Sequence, residues 1–264
     1  MKAYADKKYL YYVGCTASFD VNVKEVGINT VNILNALGVD FGILGNREKC
    51  CGSVLLRIGE YGEFERLARD NVEAFNALGV DALVTSCAGC FRTLSVDYRK
   101  VGGLSMEVLH TSQLLARLIG EGRIELKHEV PVTVTYHDPC HMGRHSNVYD
   151  TPRQVLSAIP GVTFREMDRV REFSRCCGAG GGLKAGFPDV QNLMAQQRIR
   201  DAEKTGASLL VSTCPFCYQG LQIGKNAIES PVAVCDLTTL VARSMGILGQ
   251  EHPEAGARDK EKRP

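Results

Sequence analysis

The sequence predicts an α/β fold made of two tandem, pseudo-symmetric halves. Each half reads as a small parallel-sheet, Rossmann-like βα unit with its chemistry at the carboxyl ends of the strands. Three observations predict this: an internal duplication, short β-type runs that stop at cysteines, and helix-period segments between those runs.

The duplication is written in the cysteines. Cys15, Cys50, Cys51, Cys87 and Cys90 recur as Cys140, Cys176, Cys177, Cys214 and Cys217, at offsets of 125, 126, 126, 127 and 127. The surrounding text repeats as well. "VTSCAGC" (84–90) matches "VSTCPFC" (211–217), and "EVLHTSQLLAR" (107–117) matches "AVCDLTTLVAR" (233–243). The second match aligns Cys235 with Leu109, so Cys235 is expected in a strand or core and not among the ligands.

In chain order, "YLYYVGC" ends at Cys15 and "VDALVTSC" at Cys87; "VTVTYHDPC" ends at Cys140 and "ASLLVSTC" at Cys214. "VDFGILG" and "GVTFREM" lead towards the two Cys-Cys pairs. Phe64, Leu67, Ala68, Val72, Phe75 and Leu78 recur at helical spacing, with Gly79 as the stop. The equivalent helix is expected from about Asp189 to Lys204, with Gly206 after it. Thr151 reads as an N-cap followed by Pro152 at the first helical position. Strands alternating with helices imply a parallel sheet, which binds its ligands at the carboxyl edge. The halves divide in "GEGRIELKHEVP" (120–131), giving domains 1–127 and 128–249 and a charged tail, 250–264, expected to be disordered.

With 31 Lys+Arg against 30 Asp+Glu the net charge is +1, which gives no support for a nucleic-acid partner. No run is long enough to span a bilayer and no secretory signal opens the chain, so a cytoplasmic protein is expected, with docking on a membrane subunit left open. In that compartment eleven cysteines point to metal or redox chemistry rather than disulfides.

One zinc ion takes four ligands. Each half offers five thiols, two of them adjacent, and adjacent sulfurs strain a single-ion chelate. A polynuclear iron–sulfur cluster relieves that strain, since neighbouring sulfurs can bind different irons. "RCCGAGGG" (175–182) then has a purpose: glycines let successive N–H groups approach an anionic cluster. Gly178, Gly180, Gly181 and, in the first half, Gly52 are the candidates; a plain flexible loop is the alternative. A phosphate loop is not supported, because Leu183 stands where its last glycine belongs.

Cys15, "KCCGS" (49–53), "SCAGC" (86–90), "YHDPCHMGR" (136–144), "CCGAGGG" (176–182) and "TCPFC" (213–217) together resemble the CCG cysteine-rich domain family, in wording most like the catalytic portion of the B-type and D-type subunits of heterodisulfide reductase. The resemblance implies one noncubane [4Fe-4S] cluster per repeat, two in all, on the ten cysteines. It implies reduction of a small disulfide, of the CoM-S-S-CoB type. Relatives imply an alternative: an electron-transfer subunit of glycerol-3-phosphate, glycolate, lactate or succinate oxidoreductases, with no substrate of its own. The ferredoxin-like Cys-x2-Cys-x2-Cys-x3-Cys-Pro run usual in the D-type relatives does not occur here. Electrons are therefore expected from another polypeptide of ferredoxin-like, flavoprotein or cytochrome b type, or from elsewhere in a longer chain.

Releasing two thiols needs protons. His137, His141 and His145 surround Cys140, whereas no histidine flanks Cys15. His141, beside a ligand, is the first candidate; hydrogen bonding to cluster sulfur is the competing role. His110 and Asp236, at equivalent strand ends, are further candidates, and Arg144 is a candidate partner for an anionic substrate.

Overall fold

The computed structural model describes residues 8–249. The tail expected to be disordered lies outside them. Each half carries four parallel strands. In the first, β1 (Lys8–Tyr12), β2 (Asp40–Gly42), β3 (Ala82–Thr85) and β4 (Glu107–His110) lie in the order β2-β1-β3-β4. In the second, β5 (Val132–Tyr136), β6 (Val162–Phe164), β7 (Leu209–Ser212) and β8 (Ala233–Asp236) lie in the order β6-β5-β7-β8. Leu10 pairs with Leu83 and Thr135 with Leu210.

That order has one reversal per sheet, between β1 and β3 and between β5 and β7. At such a switch point the connections leave to opposite sides and open a crevice beyond the strand ends. Cys15 and Cys87 follow the first such pair of strands; Cys140 and Cys214 follow the second.

The intervening helices include α1 (Cys15–Phe19), α2 (Glu25–Ala36), α3 (Ser53–Ile58), α4 (Tyr61–Asn76), α5 (Ala88–Ser95) and α6 (Thr111–Gly120) in the first half. The second half has α7 (Asp150–Ala158), α8 (Leu183–Gly186), α9 (Pro188–Glu203), α10 (Pro215–Ala227) and α11 (Leu237–Ser244). The helices expected after Phe64 and Asp189 are α4 and α9, and Gly79 and Gly206 turn the chain after them at φ 62° and 68°. One start differs from expectation. Tyr149, not Thr151, precedes α7, so Pro152 sits two places further into the first turn, where a missing N–H still costs no helical hydrogen bond.

Strand side chains alternate between two cores, as a two-residue period requires. Tyr9, Tyr11, Val84, Leu209 and Val211 enter one core, and Leu10, Tyr12, Leu83 and Leu210 enter the other. The first core joins the halves: α6 packs on α7, and α11 packs on α2. Because α2 corresponds to α7 and α6 to α11 in the repeat, these contacts are one contact made twice about a pseudo-two-fold axis. Cys235 lies in β8 opposite Val211, buried in this same core.

Candidate metal centre

All ten repeat cysteines line one open cavity. Cys15, Cys87, Cys140 and Cys214 reach it from just beyond strand ends, whereas the pairs Cys50–Cys51 and Cys176–Cys177 reach it from the loops that follow β2 and β6. Cys87 is the residue before α5 and Cys90 lies in its first turn; Cys214 and Cys217 stand likewise on α10. The positive end of each helix dipole therefore faces the sulfurs, which favours thiolate. Within each half the sulfurs approach closely: Cys51 and Cys90 at 3.4 Å, Cys177 and Cys217 at 3.2 Å, Cys140 and Cys176 at 3.8 Å. Across the halves, Cys87 lies 3.9 Å from Cys214.

Backbone donors are aimed at these sulfurs. Gly52 N–H donates to Cys50 Sγ at 3.4 Å, and Gly178 N–H donates to Cys176 Sγ at 3.3 Å. The Cys50 and Cys176 thiols are pushed down, chiefly by hydrogen bonds from Cys15 and Cys140, with those glycine N–H groups assisting. Cys214 is also pushed well down, by Cys217 and Cys87, and the Ala88 N–H of the opposite half contributes. The lowered thiols are thus Cys50 in the first half and Cys176 and Cys214 in the second, and Cys15 and Cys140 are pushed up by the same hydrogen bonds.

The glycine run divides its work. Gly178, at φ 74°, turns its N–H to sulfur, and a Cβ there would come within 3.1 Å of Gln191 Cα. Gly180 and Gly181 form part of the cavity wall. Gly182, at φ 83°, packs against the opposite half, where a Cβ would meet Ile58 Cγ2 at 2.7 Å.

Of the three candidate histidines only His141 is on the cavity wall. His145 sits beside it, with ring centroids 5.4 Å apart and planes tilted by 55°, and is exposed. Burial pushes His141 below the ordinary histidine value, and Arg57 adds to the effect. His137 is fully buried behind Cys177 and Cys217; Arg198 Nε donates to its Nδ1 at 3.2 Å. Burial pushes His137 down to about 4, so it is neutral.

His110 and Asp236 are not on this wall. They cap α6 and α11 and line a separate small chamber with Ser86 and Thr213. His110 Nδ1 accepts from Ser112 N–H, so the ring proton is on Nε2, where it donates to Thr213 O at 2.9 Å. Arg144 is engaged with the carbonyls of Ser174 and Glu172, away from the cavity wall. The cation on the wall is instead Arg57, which pairs with Asp97 at 2.7 Å.

The donor set decides what the cavity can hold. Among the described residues its wall has ten thiols, one histidine and one arginine but no carboxylate. Hard cations need oxygen ligands, and a single zinc would leave most of the thiols unused. Soft thiolates in two groups of five suit polynuclear iron–sulfur clusters.

Comparison with known proteins agrees. The CCG cysteine-rich domain matches twice, over residues 9–95 and 134–222. The chain belongs to the CCG cysteine-rich domain family. It is 46% identical over 243 residues to the D-type subunit of dihydromethanophenazine:CoB–CoM heterodisulfide reductase from Methanosarcina barkeri, covering 90% of this chain and 59% of that one. It is 37% identical over 230 residues to EtfAB:quinone oxidoreductase from Syntrophomonas wolfei, covering 84% of this chain and 32% of that one. It is 36% identical over 240 residues to the probable iron-sulfur-binding oxidoreductase FadF of Bacillus subtilis, covering 90% and 34%. The chain thus spans less than two thirds of the length of these relatives. A hypothetical protein from Helicobacter pylori shares the fold, with a TM-score of 0.63 at 11% identity, over 93% of this chain and 50% of that one. These iron–sulfur relatives support iron–sulfur clusters in this CCG protein. No helix among the described residues is long and apolar enough to cross a membrane.

Sequence reasoning did not find three features: Arg57 on the wall, the His137–Arg198 contact, and the meeting of Cys87 with Cys214. The first two are single-residue departures from the repeat, visible only when the halves are aligned helix by helix. The third is a tertiary fact with no local signal.

Proposed function

We propose that this chain is the disulfide-reducing portion of a heterodisulfide reductase-like iron–sulfur oxidoreductase. Each half would hold one noncubane [4Fe-4S] cluster on its five cysteines, Cys15, Cys50, Cys51, Cys87 and Cys90 in the first and Cys140, Cys176, Cys177, Cys214 and Cys217 in the second. The observation that carries this reading is the convergence of all ten thiols on one open cavity that also presents a histidine.

The reaction takes a small disulfide, two electrons and two protons to two thiols. When bound, the two clusters would supply one electron each. The chain's own residues do the rest. The repeat brings an equivalent set of five sulfurs from each half to the one cavity, matching a substrate whose two reacting sulfurs are themselves near-equivalent. His141 hydrogen-bonds the leaving sulfur, and exposed His145 beside it passes protons in from solvent. Arg57 faces an acidic group on the substrate. A partner protein of ferredoxin-like, flavoprotein or cytochrome b type supplies the electrons.

A second reading, an electron relay without its own substrate, is favoured by the likeness to EtfAB:quinone oxidoreductase. Turnover with reduced viologen and CoM-S-S-CoB or another low-molecular-weight disulfide separates the two. Thiol release supports the first; a reducible protein that leaves every disulfide tested intact supports the second.

A further inference from the structure

The two halves are not electrostatically equivalent behind their cysteines. His137 and Tyr12 occupy the same repeat position, as do Arg198 of α9 and Asn71 of α4. In the first half, Tyr12 donates its hydroxyl to Lys49 O at 2.8 Å, and Asn71 donates to Cys50 O and Tyr98 Oη. Both are neutral, and neither of these hydrogen bonds goes to a sulfur.

In the second half, the Arg198 guanidinium is fully buried. Its Nε–H occupies the lone pair of His137 Nδ1. The imidazole proton must then be on Nε2, and a protonated Nε2 cannot ligate metal. That Nε2 has no hydrogen-bond partner among the described residues, and one ring nitrogen of His137 lies within 4.8 Å of the sulfurs of Cys177 and Cys217. With Nδ1 taken by Arg198, Nε2–H is the one donor the ring has left, beside two candidate cluster ligands.

The surrounding charges are largely paired in both halves, and in the first Arg57 and Arg92 share Asp97. Arg198 and Arg175 share a single carboxylate, Asp201, at 3.5 and 3.0 Å. Arg153 meets both Asp138, next to His137, at 2.8 and 2.9 Å, and Glu166 at 2.5 Å. In the first half Glu48 accepts from the N–H groups of Val13 and Gly14 and pairs with no cation among the described residues. Its repeat counterpart is the neutral Ser174.

An electron added to a cluster is stabilised by nearby positive charge and by hydrogen bonds to its sulfurs. We propose that His137 and Arg198 give the second half's cluster the higher reduction potential. Of two electrons supplied singly by a donor protein, the first then rests in the second half and the next in the first half. His137 acts as a hydrogen-bond donor to ligand sulfur, and Arg198 is a positioning residue that acts partly through it. This rests on the reading that each half binds its own cluster, which iron and sulfide analysis of the same samples tests separately.

The experiment is an anaerobic redox titration of the reconstituted protein, followed by electron paramagnetic resonance. The wild type is expected to show two separated potentials. His137→Phe and Arg198→Met should each lower the higher one and leave the lower unchanged, and Arg198→Lys, which keeps the charge, should recover part of the loss. Should these variants fail to bind iron, protein labelled with 15N-histidine decides without mutation. A weak nitrogen coupling on the higher-potential signal supports the N–H···S contact. A strong coupling, meaning direct ligation, or none would overturn it. Coincident potentials in wild-type protein carrying both clusters would also overturn it, as would equal shifts of both clusters in His137→Phe.

Discussion

Cys87 Sγ lies 3.9 Å from Cys214 Sγ, its own counterpart in the other half of the repeat. The two residues before them, Ser86 and Thr213, each meet the tyrosine of the adjoining strand, Tyr11 at 3.0 Å and Tyr136 at 2.8 Å. The strand ends are thereby fixed in matching positions, and the two thiols meet where the pseudo-two-fold axis crosses the cavity.

The two proposed clusters, one on each side of such a contact, should interact magnetically. Reduced wild-type protein is expected to give a broadened or split resonance with fast relaxation. Cys177→Ser, which disables the second half alone, should narrow it to an isolated, slowly relaxing signal. Identical spectra from the two proteins would contradict the contact.

Among the described residues His141 is the one histidine on the cavity wall. His141→Gln is expected to cut kcat for disulfide reduction by about 100-fold or more, with iron content unchanged. His145→Gln should have a smaller effect, because water can replace an exposed relay. Steady-state rates with reduced viologen check both.

Asp236 and His110 should give opposite slopes of stability against pH. Burial pushes the Asp236 carboxyl up to about 7 and His110 down to about 4. A raised carboxyl stabilises the fold fully below its unfolded value, about 4, and loses that contribution as pH rises through about 7. A lowered histidine contributes above its unfolded value, about 6.5, and loses that contribution as pH falls through about 4. The two offset each other in the wild type. Anaerobic urea midpoints of Asp236→Asn should therefore climb more steeply with pH between about 4 and 6.5 than those of the wild type, and those of His110→Gln should fall more steeply. Parallel curves would exclude the assignment.

The glycine run offers a paired test. Gly178→Ala forces a side chain into a left-handed backbone and against Gln191 Cα, and should cost at least about 1–2 kcal/mol. Gly180→Ala meets nothing within 4 Å and should be nearly neutral. Urea midpoints compare them.

Much of this architecture is legible in the sequence, for identifiable reasons. Five cysteines at a fixed offset mark a duplication, and runs such as "ASLLVSTC" end where a buried parallel strand must release its chain. Cys235 can be placed in a strand because its repeat mate is Leu109. What cannot be read depends on side chains meeting across long sequence separations. Nothing local distinguishes Arg144, which is engaged with loop carbonyls, from Arg57, which faces the cavity. Nothing local shows that His137 is sealed behind two cysteines while His141 lines the cavity. The start of α7 escapes the sequence because proline is tolerated throughout a first helical turn, so Pro152 alone does not fix the cap.

The central claim is that each half holds a cluster of its own. Iron and acid-labile sulfide analysis of anaerobically prepared protein, wild type against Cys51→Ser and Cys177→Ser, tests it most directly. The wild type should contain two clusters' worth of both elements, and each variant about half, with a different resonance lost in each. Protein free of iron and sulfide, or the same complete loss from either single substitution, would contradict the account.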